Sequence, residues 1–287
     1  MEELHFVWLE LTGKCQLQCD HCYAESGPRS THGAMRIHDW TRVIDEARQL
    51  GVRMVQFIGG EPTLHPNLPY LIDQAVGRRM AVEIFSNLFH MSQRMWDVFS
   101  LPGVRLATSY YADRSAQHEG ITRRKGSYES TKTNIIEAVR RSIPLRVGVI
   151  DVHDGQRVEQ ACAELKELGV TEIATDHLRQ VGRGVRDQEP GTSQLCGNCA
   201  RGKVAVAPNG EVWPCVFARW MPLGNVISTP LSEIVTVPRM REVKRQLATN
   251  AGGCFPDKCD PLCPPSCSPS CIPQSNCRPV GSCGPDW

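Results

Sequence analysis

Six short apolar runs separated by stretches of helical periodicity occupy residues 6–176, and this alternation sets the main limit on how the chain folds. The runs are FVWLEL (6–11), VRMVQFI (52–58), MAVEIF (80–85), VRLATSY (104–110), PLRVGVIDV (144–152) and VTEIATD (170–176), each read as a strand. Between the first two, HDWTRVIDEARQLG (38–51) places Trp40, Val43, Ile44, Ala47 and Leu50 on one helical face, and Gly51 suits a C-terminal cap. Helices are also expected at 68–79, 93–100, 128–142 and 155–169. Strict alternation predicts an α/β fold with parallel strands and right-handed crossovers. Six such units make either an open doubly wound sheet or a partial barrel. In both, function belongs at the C-terminal ends of the strands.

Those ends carry the chemistry. GKCQLQCDHCYAES (13–26) follows strand one and packs Cys15, Cys19 and Cys22 into eight residues. Gly59-Gly60-Glu61-Pro62 follows strand two, Ser86-Asn87 follows strand three, and Ser109-Tyr110 closes strand four. Of Tyr110 and Tyr111, one is expected to pack and the other to line a cavity.

After Gly184 the pattern changes. Residues 186–194 read as a linker, and KVAVAPNGEVWPC (203–215) as a hairpin turning at Asn209-Gly210. Residues 221–229 read as a loop, and 232–248 contain a short helix. From Ala251 to Trp287 the chain is mostly Cys, Pro, Ser and Gly, too poor in apolar residues to build a core unaided. Either this tail is disordered or something ties its cysteines together. The expected division is a domain at 1–185 and a second at 186–287.

The net charge of +1 gives no footprint for nucleic acid or an anionic membrane. No apolar run is long enough to span a bilayer. The opening MEELHFVWLELTG lacks a signal-peptide layout, so a cytoplasmic, reducing location is expected. There the 14 cysteines bind metal more readily than they form disulfides. Three thiolates in one loop can hold a [4Fe–4S] cluster and leave its fourth iron open. Zinc with His21 or His32 as fourth ligand is the competing reading. Cys162 stands alone on the apolar side of a helix and reads as a structural thiol.

Cys15-x3-Cys19-x2-Cys22, with His21 and Tyr23 beside the last cysteine and GGEP at 59–62, resembles the signature of radical S-adenosylmethionine (radical SAM) enzymes. Lys125-Gly126-Ser127-Tyr128 and Arg179 with Gly182-Arg183-Gly184 look like further landmarks of that family. The resemblance covers residues 1–185 and implies a partial (β/α)6 TIM-like barrel. It implies that Cys15, Cys19 and Cys22 hold the cluster that binds S-adenosylmethionine. Gly59, Gly60, Glu61, Tyr23, Ser86, Asn87, Ser109 and Arg179 would then surround that cosubstrate. Glu61 would meet its ammonium, and the glycines would let it approach the backbone.

Cys199-x10-Gly210-x4-Cys215, with Cys196 nearby, resembles the entry to the auxiliary-cluster extension called SPASM or its shorter twitch form. That implies a small Cys-rich extension with one or two auxiliary [4Fe–4S] clusters. One would take Cys196, Cys199 and Cys215 plus a tail cysteine. A second would draw on Cys254, Cys259, Cys263, Cys267 and Cys271. The tail spacing departs from the family's, and Pro264, Pro269 and Pro273 interleave with the thiols.

The resemblance implies reductive cleavage of S-adenosylmethionine to a 5′-deoxyadenosyl radical, which takes hydrogen from an unactivated carbon. The expected substrate is a ribosomal peptide receiving a cross-link, thioether or epimerised centre in natural-product biosynthesis. A small molecule such as a sugar, nucleoside or alcohol is the alternative. A non-catalytic Fe–S electron-transfer or sulfur-donor protein is a third. An electron donor such as flavodoxin or ferredoxin is expected, and a separate peptide-recognition protein, because strand one begins almost at the start of the sequence.

Overall fold

The computed structural model describes residues 4–196, 199–236 and 238–250. The six apolar runs become β1 (Phe6–Glu10), β2 (Met54–Ile58), β3 (Ala81–Phe85), β4 (Val104–Tyr110), β5 (Leu145–Asp151) and β6 (Glu172–His177). The five expected helices are α1 (Ile37–Gln49), α2 (Leu68–Gly77), α3 (Gln93–Phe99), α5 (Ser127–Arg140) and α6 (Val158–Glu167). Trp40, Val43, Ile44 and Ala47 are the buried face of α1, as their spacing predicts.

Strand order decides between the two architectures left open above. The sheet runs β6-β5-β4-β3-β2-β1, with every pair parallel. A doubly wound sheet would reverse direction at a switch point. Here each strand lies beside its sequence neighbour, which is the winding of a TIM-like barrel that stops short of closure. β1 is buried at all five positions. β6, paired only with β5, has Asp176 as its one buried residue.

Two elements go beyond the expectations. α4 (Ser115–Thr122) has the sequence SAQHEGIT. Its polar residues and Gly120 give no apolar stripe to read, yet His118, Ile121 and Thr122 are buried. Second, β7 (Lys203–Val206) pairs in parallel with β1. The 203–215 hairpin therefore extends the main sheet instead of standing apart. β8 (Glu211–Trp213) and β9 (Gly224–Asn225) follow antiparallel, completing a nine-stranded sheet. Gly210 takes φ +85° in the turn. The 221–229 loop thus contributes a two-residue strand. Where one short helix was expected there are two, α7 (Leu231–Ile234) and α8 (Pro238–Asn250). Among the described residues no helix is long and apolar enough to cross a membrane.

Candidate active site

Three loops at the C-terminal ends of the strands are laced together by backbone. Gly60 N donates to Thr12 O at 2.6 Å and Glu61 N to Lys14 O at 2.8 Å, so the loop after β2 props the one after β1. A Cβ on Gly60 would lie 2.2 Å from Lys14 O, and one on Gly59 (φ +143°) would lie 2.5 Å from Thr12 O. The missing Cβ atoms therefore serve loop-on-loop packing, and both glycines also border the cavity described below.

The cysteine loop is also held from two distant elements. Gln18 N and Asp20 N donate to Thr122 O and Ile121 O at the end of α4, at 3.1 and 3.0 Å. Arg183, on the one-turn helix Gly182–Gly184 after β6, donates to Cys19 O at 2.9 Å and Ser26 O at 2.7 Å. Its own N–H reaches Cys22 O at 3.1 Å. Gly182 packs so closely that a Cβ would stand 2.4 Å from Tyr23 O. Arg183→Ala removes both side-chain bonds and is expected to destabilise this loop by about 2–3 kcal/mol. Faster hydrogen exchange across residues 15–26 would show it; unchanged protection would end this account of Arg183.

Cys15 receives Leu17 N at 3.4 Å and Asn87 Nδ2 at 3.5 Å on its sulfur. Such donors are what a ligating thiolate needs. Burial, with Glu61 adding to it, pushes the Cys15 thiol up to about 12, and burial also raises Cys19. Each thiol must give up its proton to bind a metal. Among the described residues no three His, Cys, Asp or Glu side chains gather tightly enough for one metal ion.

Glu61 is held by donors from two loops. Its fully buried carboxylate accepts from Thr63 N at 3.1 Å, Thr63 Oγ1 at 2.7 Å, Ser86 Oγ at 2.8 Å and Asn87 N at 2.7 Å. Burial raises its pKa against these donors. It caps the one-turn helix Pro62–Leu64 and ties the β2 loop to the β3 loop. Ser86 is likewise buried within this knot, also receiving Leu88 N at 3.0 Å.

One cavity opens from the cysteine loop into the barrel, and the space between its walls, counted out into the solvent at its mouth, is about 1250 Å³. Cys15, Cys19, Cys22, Tyr23, Gly59, Gly60, Asn87, Ser109 and Arg179 border it; Glu61 and Ser86 do not. Asn87 is fixed through its carbonyl by Thr131 Oγ1 at 2.9 Å. Arg179 donates to Asp176 at 3.1 and 3.3 Å and to Gln194 O at 3.1 Å. Tyr111 lines the cavity, while Tyr110 turns away and donates to Glu164 at 2.7 Å.

Several cavity residues, His118 among them, were not anticipated. His21 and His118 border it, each lowered to about 4, chiefly by burial. His65, 5% exposed beside His32, is lowered to the same value. A histidine that binds its proton less well folded than unfolded loses stability as pH falls through the unfolded value of about 6.5. Unfolding free energy is therefore expected to hold above pH 7 and decline from about pH 6.5 toward 4. Urea titrations at stepped pH test this, and His118→Phe should flatten part of the slope.

The extension closes one wall. Phe217, two residues past Cys215, borders the cavity and packs edge-on to Tyr23 with centroids 5.0 Å apart. Arg219 donates to the buried Glu10 at 2.7 Å and lies 4.1 Å over the Trp213 ring. Cys199 and Cys215 place their sulfurs 2.9 Å apart, and Cys196 and Cys215 beside Cys199, together with burial, push its thiol well up. Cys196, Cys199 and Cys215 are thus brought together. Cys254, Cys259, Cys263, Cys267 and Cys271 lie outside the described residues.

Residues 9–168 match the model of the Radical SAM superfamily, and residues 196–271 that of SPASM, an iron–sulfur cluster-binding domain. The antilisterial bacteriocin subtilosin biosynthesis protein AlbA of Bacillus subtilis (strain 168) is 23% identical over 286 residues, covering 87% of this chain and 64% of that protein. A PqqA peptide cyclase of Xanthomonas campestris pv. campestris (strain B100) is 30% identical over 191 residues, 63% of this chain and 49% of its own length. The chain thus spans about half to two-thirds of the length of these curated relatives. The crystal structure of Streptococcus suis SuiB bound to precursor peptide SuiA shares the fold, with TM-score 0.71 at 12% identity over 85% of this chain and 67% of that one.

Proposed function

The chain belongs to the Radical SAM superfamily and carries an iron–sulfur SPASM region, and on that premise we propose that this radical SAM enzyme modifies a ribosomally made peptide by cross-linking, thioether formation or epimerisation. The similarity to a bacteriocin-biosynthesis protein and to peptide cyclases, spanning most of the chain, carries this reading. The cavity supports it, because it joins the cysteine triad to a wall made by the auxiliary extension.

Cys15, Cys19 and Cys22 would hold the [4Fe–4S] cluster, and Asn87, Ser109, Gly60, Tyr23 and Arg179 would border the S-adenosylmethionine. When bound, the pair supplies a 5′-deoxyadenosyl radical that takes hydrogen from an unactivated carbon. The protein's part is to orient and to keep water out. Arg183 and α4 fix the cysteine loop, Asn87 donates toward the Cys15 sulfur, and Phe217 and Tyr23 seal the side facing the extension. Cys196, Cys199 and Cys215, with a tail cysteine, would hold one auxiliary cluster; a second would need four more tail thiols.

The test is anaerobic reconstitution, iron and sulfide counting, and incubation with S-adenosylmethionine, dithionite in place of flavodoxin or ferredoxin, and short peptides encoded beside this chain's gene. About eight irons indicate one auxiliary cluster and about twelve indicate two. A peptide that loses two hydrogens per new bond, or gains deuterium from heavy water on epimerisation, supports the reading. Formation of 5′-deoxyadenosine with every peptide unchanged, alongside conversion of a sugar, nucleoside or alcohol, would replace it.

A further inference from the structure

The cavity does not end at the strand tips. It descends between β2 and β5 to a floor bordered by Gln56, Phe85 and Arg146, side chains that point to the inside of the barrel from three strands. Gln56 is fully buried, and Arg146 is 8% exposed. Between them lies Glu83 on β3, 4% exposed. Arg146 donates to it twice, Nε to Oε2 at 2.8 Å and Nη2 to Oε1 at 2.7 Å. Gln56 Nε2 donates to Glu83 Oε1, which fixes the amide's orientation, because the flipped form would turn oxygen against carboxylate. The arginine pulls Glu83 below the usual carboxylate range against the effect of burial.

That orientation leaves Gln56 Oε1 buried in a cavity-lining residue with no hydrogen-bond partner. A buried acceptor left unmet costs about 1–3 kcal/mol, so its presence calls for an explanation. Arg146 Nη1 is the guanidinium nitrogen not engaged with Glu83, and the residue borders the same space. The floor thus offers one acceptor and one donor.

The charges here balance. Glu83 is shared by Arg146 and Arg105, and Arg105 also meets Glu172 at 2.8 Å. Two cations and two carboxylates leave no net charge for an ionic ligand to neutralise. A carboxylate would set its lone pairs against Gln56 Oε1, and an ammonium would sit beside a guanidinium. An uncharged amide matches both groups.

We propose that Gln56 and Arg146 form a substrate subsite for an uncharged amide, its N–H donated to Gln56 Oε1 and its carbonyl accepting from Arg146 Nη1. The subsite rests on the reading that this cavity admits the substrate, and it narrows the peptide class. A backbone amide or an Asn or Gln side chain would be held at the floor, below the strand tips.

Saturation-transfer NMR on the anaerobically reconstituted protein tests this with N-methylacetamide, acetate and methylammonium as probes. N-methylacetamide should give a signal, acetate and methylammonium none. Gln56→Met, which keeps the volume and removes the acceptor, should reduce that signal about five- to tenfold. Arg146→Lys keeps the charge facing Glu83, removes the second donor, and should reduce it similarly; it carries the test if Gln56→Met does not fold. Equal amide signals in wild type and a folded variant, no amide signal in wild type, or a stronger response to acetate would overturn the subsite. Because the probes are not peptides, this result is independent of whether any precursor peptide is modified. Amide binding without peptide modification would keep the subsite and move the substrate to amide-bearing small molecules.

Discussion

Cys19→Ala is expected to cut 5′-deoxyadenosine formation by about 100-fold or more while the barrel stays folded. Loss of a group that only supports a metal ligand already costs about 10–100-fold, and Cys19 is assigned as a ligand itself. The fold should survive because the loop around residue 19 is held by backbone bonds and by Arg183, not through the sulfur. Gln18 N, Asp20 N and Cys19 O all keep their partners in the variant. Anaerobic assay for 5′-deoxyadenosine, paired with circular dichroism, separates the two effects. Cleavage retained at wild-type rate would remove the triad from the chemistry.

Gly60→Ala is expected to disrupt the same site from the opposite side. Its new Cβ would meet Lys14 O at 2.2 Å, Lys14 C at 2.6 Å and Gly13 O at 2.8 Å, all backbone atoms that cannot rotate away. To relieve the clash the chain must break Gly60 N to Thr12 O or Glu61 N to Lys14 O, and Cys15 is the next residue along. Overpacking of this kind costs about 1–3 kcal/mol, and the displaced loop should take up much less iron. Gly77→Ala is the control. It lies at the end of α2 with nothing within 4 Å of the added methyl, and should be neutral or slightly stabilising. Full iron and sulfide in Gly60→Ala would mean that loop-on-loop packing does not govern the cluster site.

The cysteine triad, the strand tips and the auxiliary pair Cys199 and Cys215 were legible because each is announced locally, by residue type and spacing. The hydrogen-bond partners of Glu61 and Ser86 were not. GGEP suggests a carboxylate turned toward a ligand, but Thr63, Ser86 and the Asn87 N–H surround it, and two of those donors come from a loop about 25 residues away. α4 was missed for a related reason. Its stability comes from burying His118 and Ile121 against the barrel, not from an apolar stripe, and its last carbonyls support the cysteine loop.

Gln56, Glu83 and Arg146 did leave a trace, as polar residues inside the apolar runs VRMVQFI, MAVEIF and PLRVGVIDV. A strand of a parallel sheet covered on both faces has little use for such residues unless its concave face lines a cavity. Sequence alone determined the order and type of the six barrel strands and of five of the helices between them, because periodicity is encoded within a few residues. Only the tertiary structure decided which polar groups meet. That depends on the register of β2, β3 and β5 and on the sheet curling one way, which brings residues 56, 83 and 146 to a single floor.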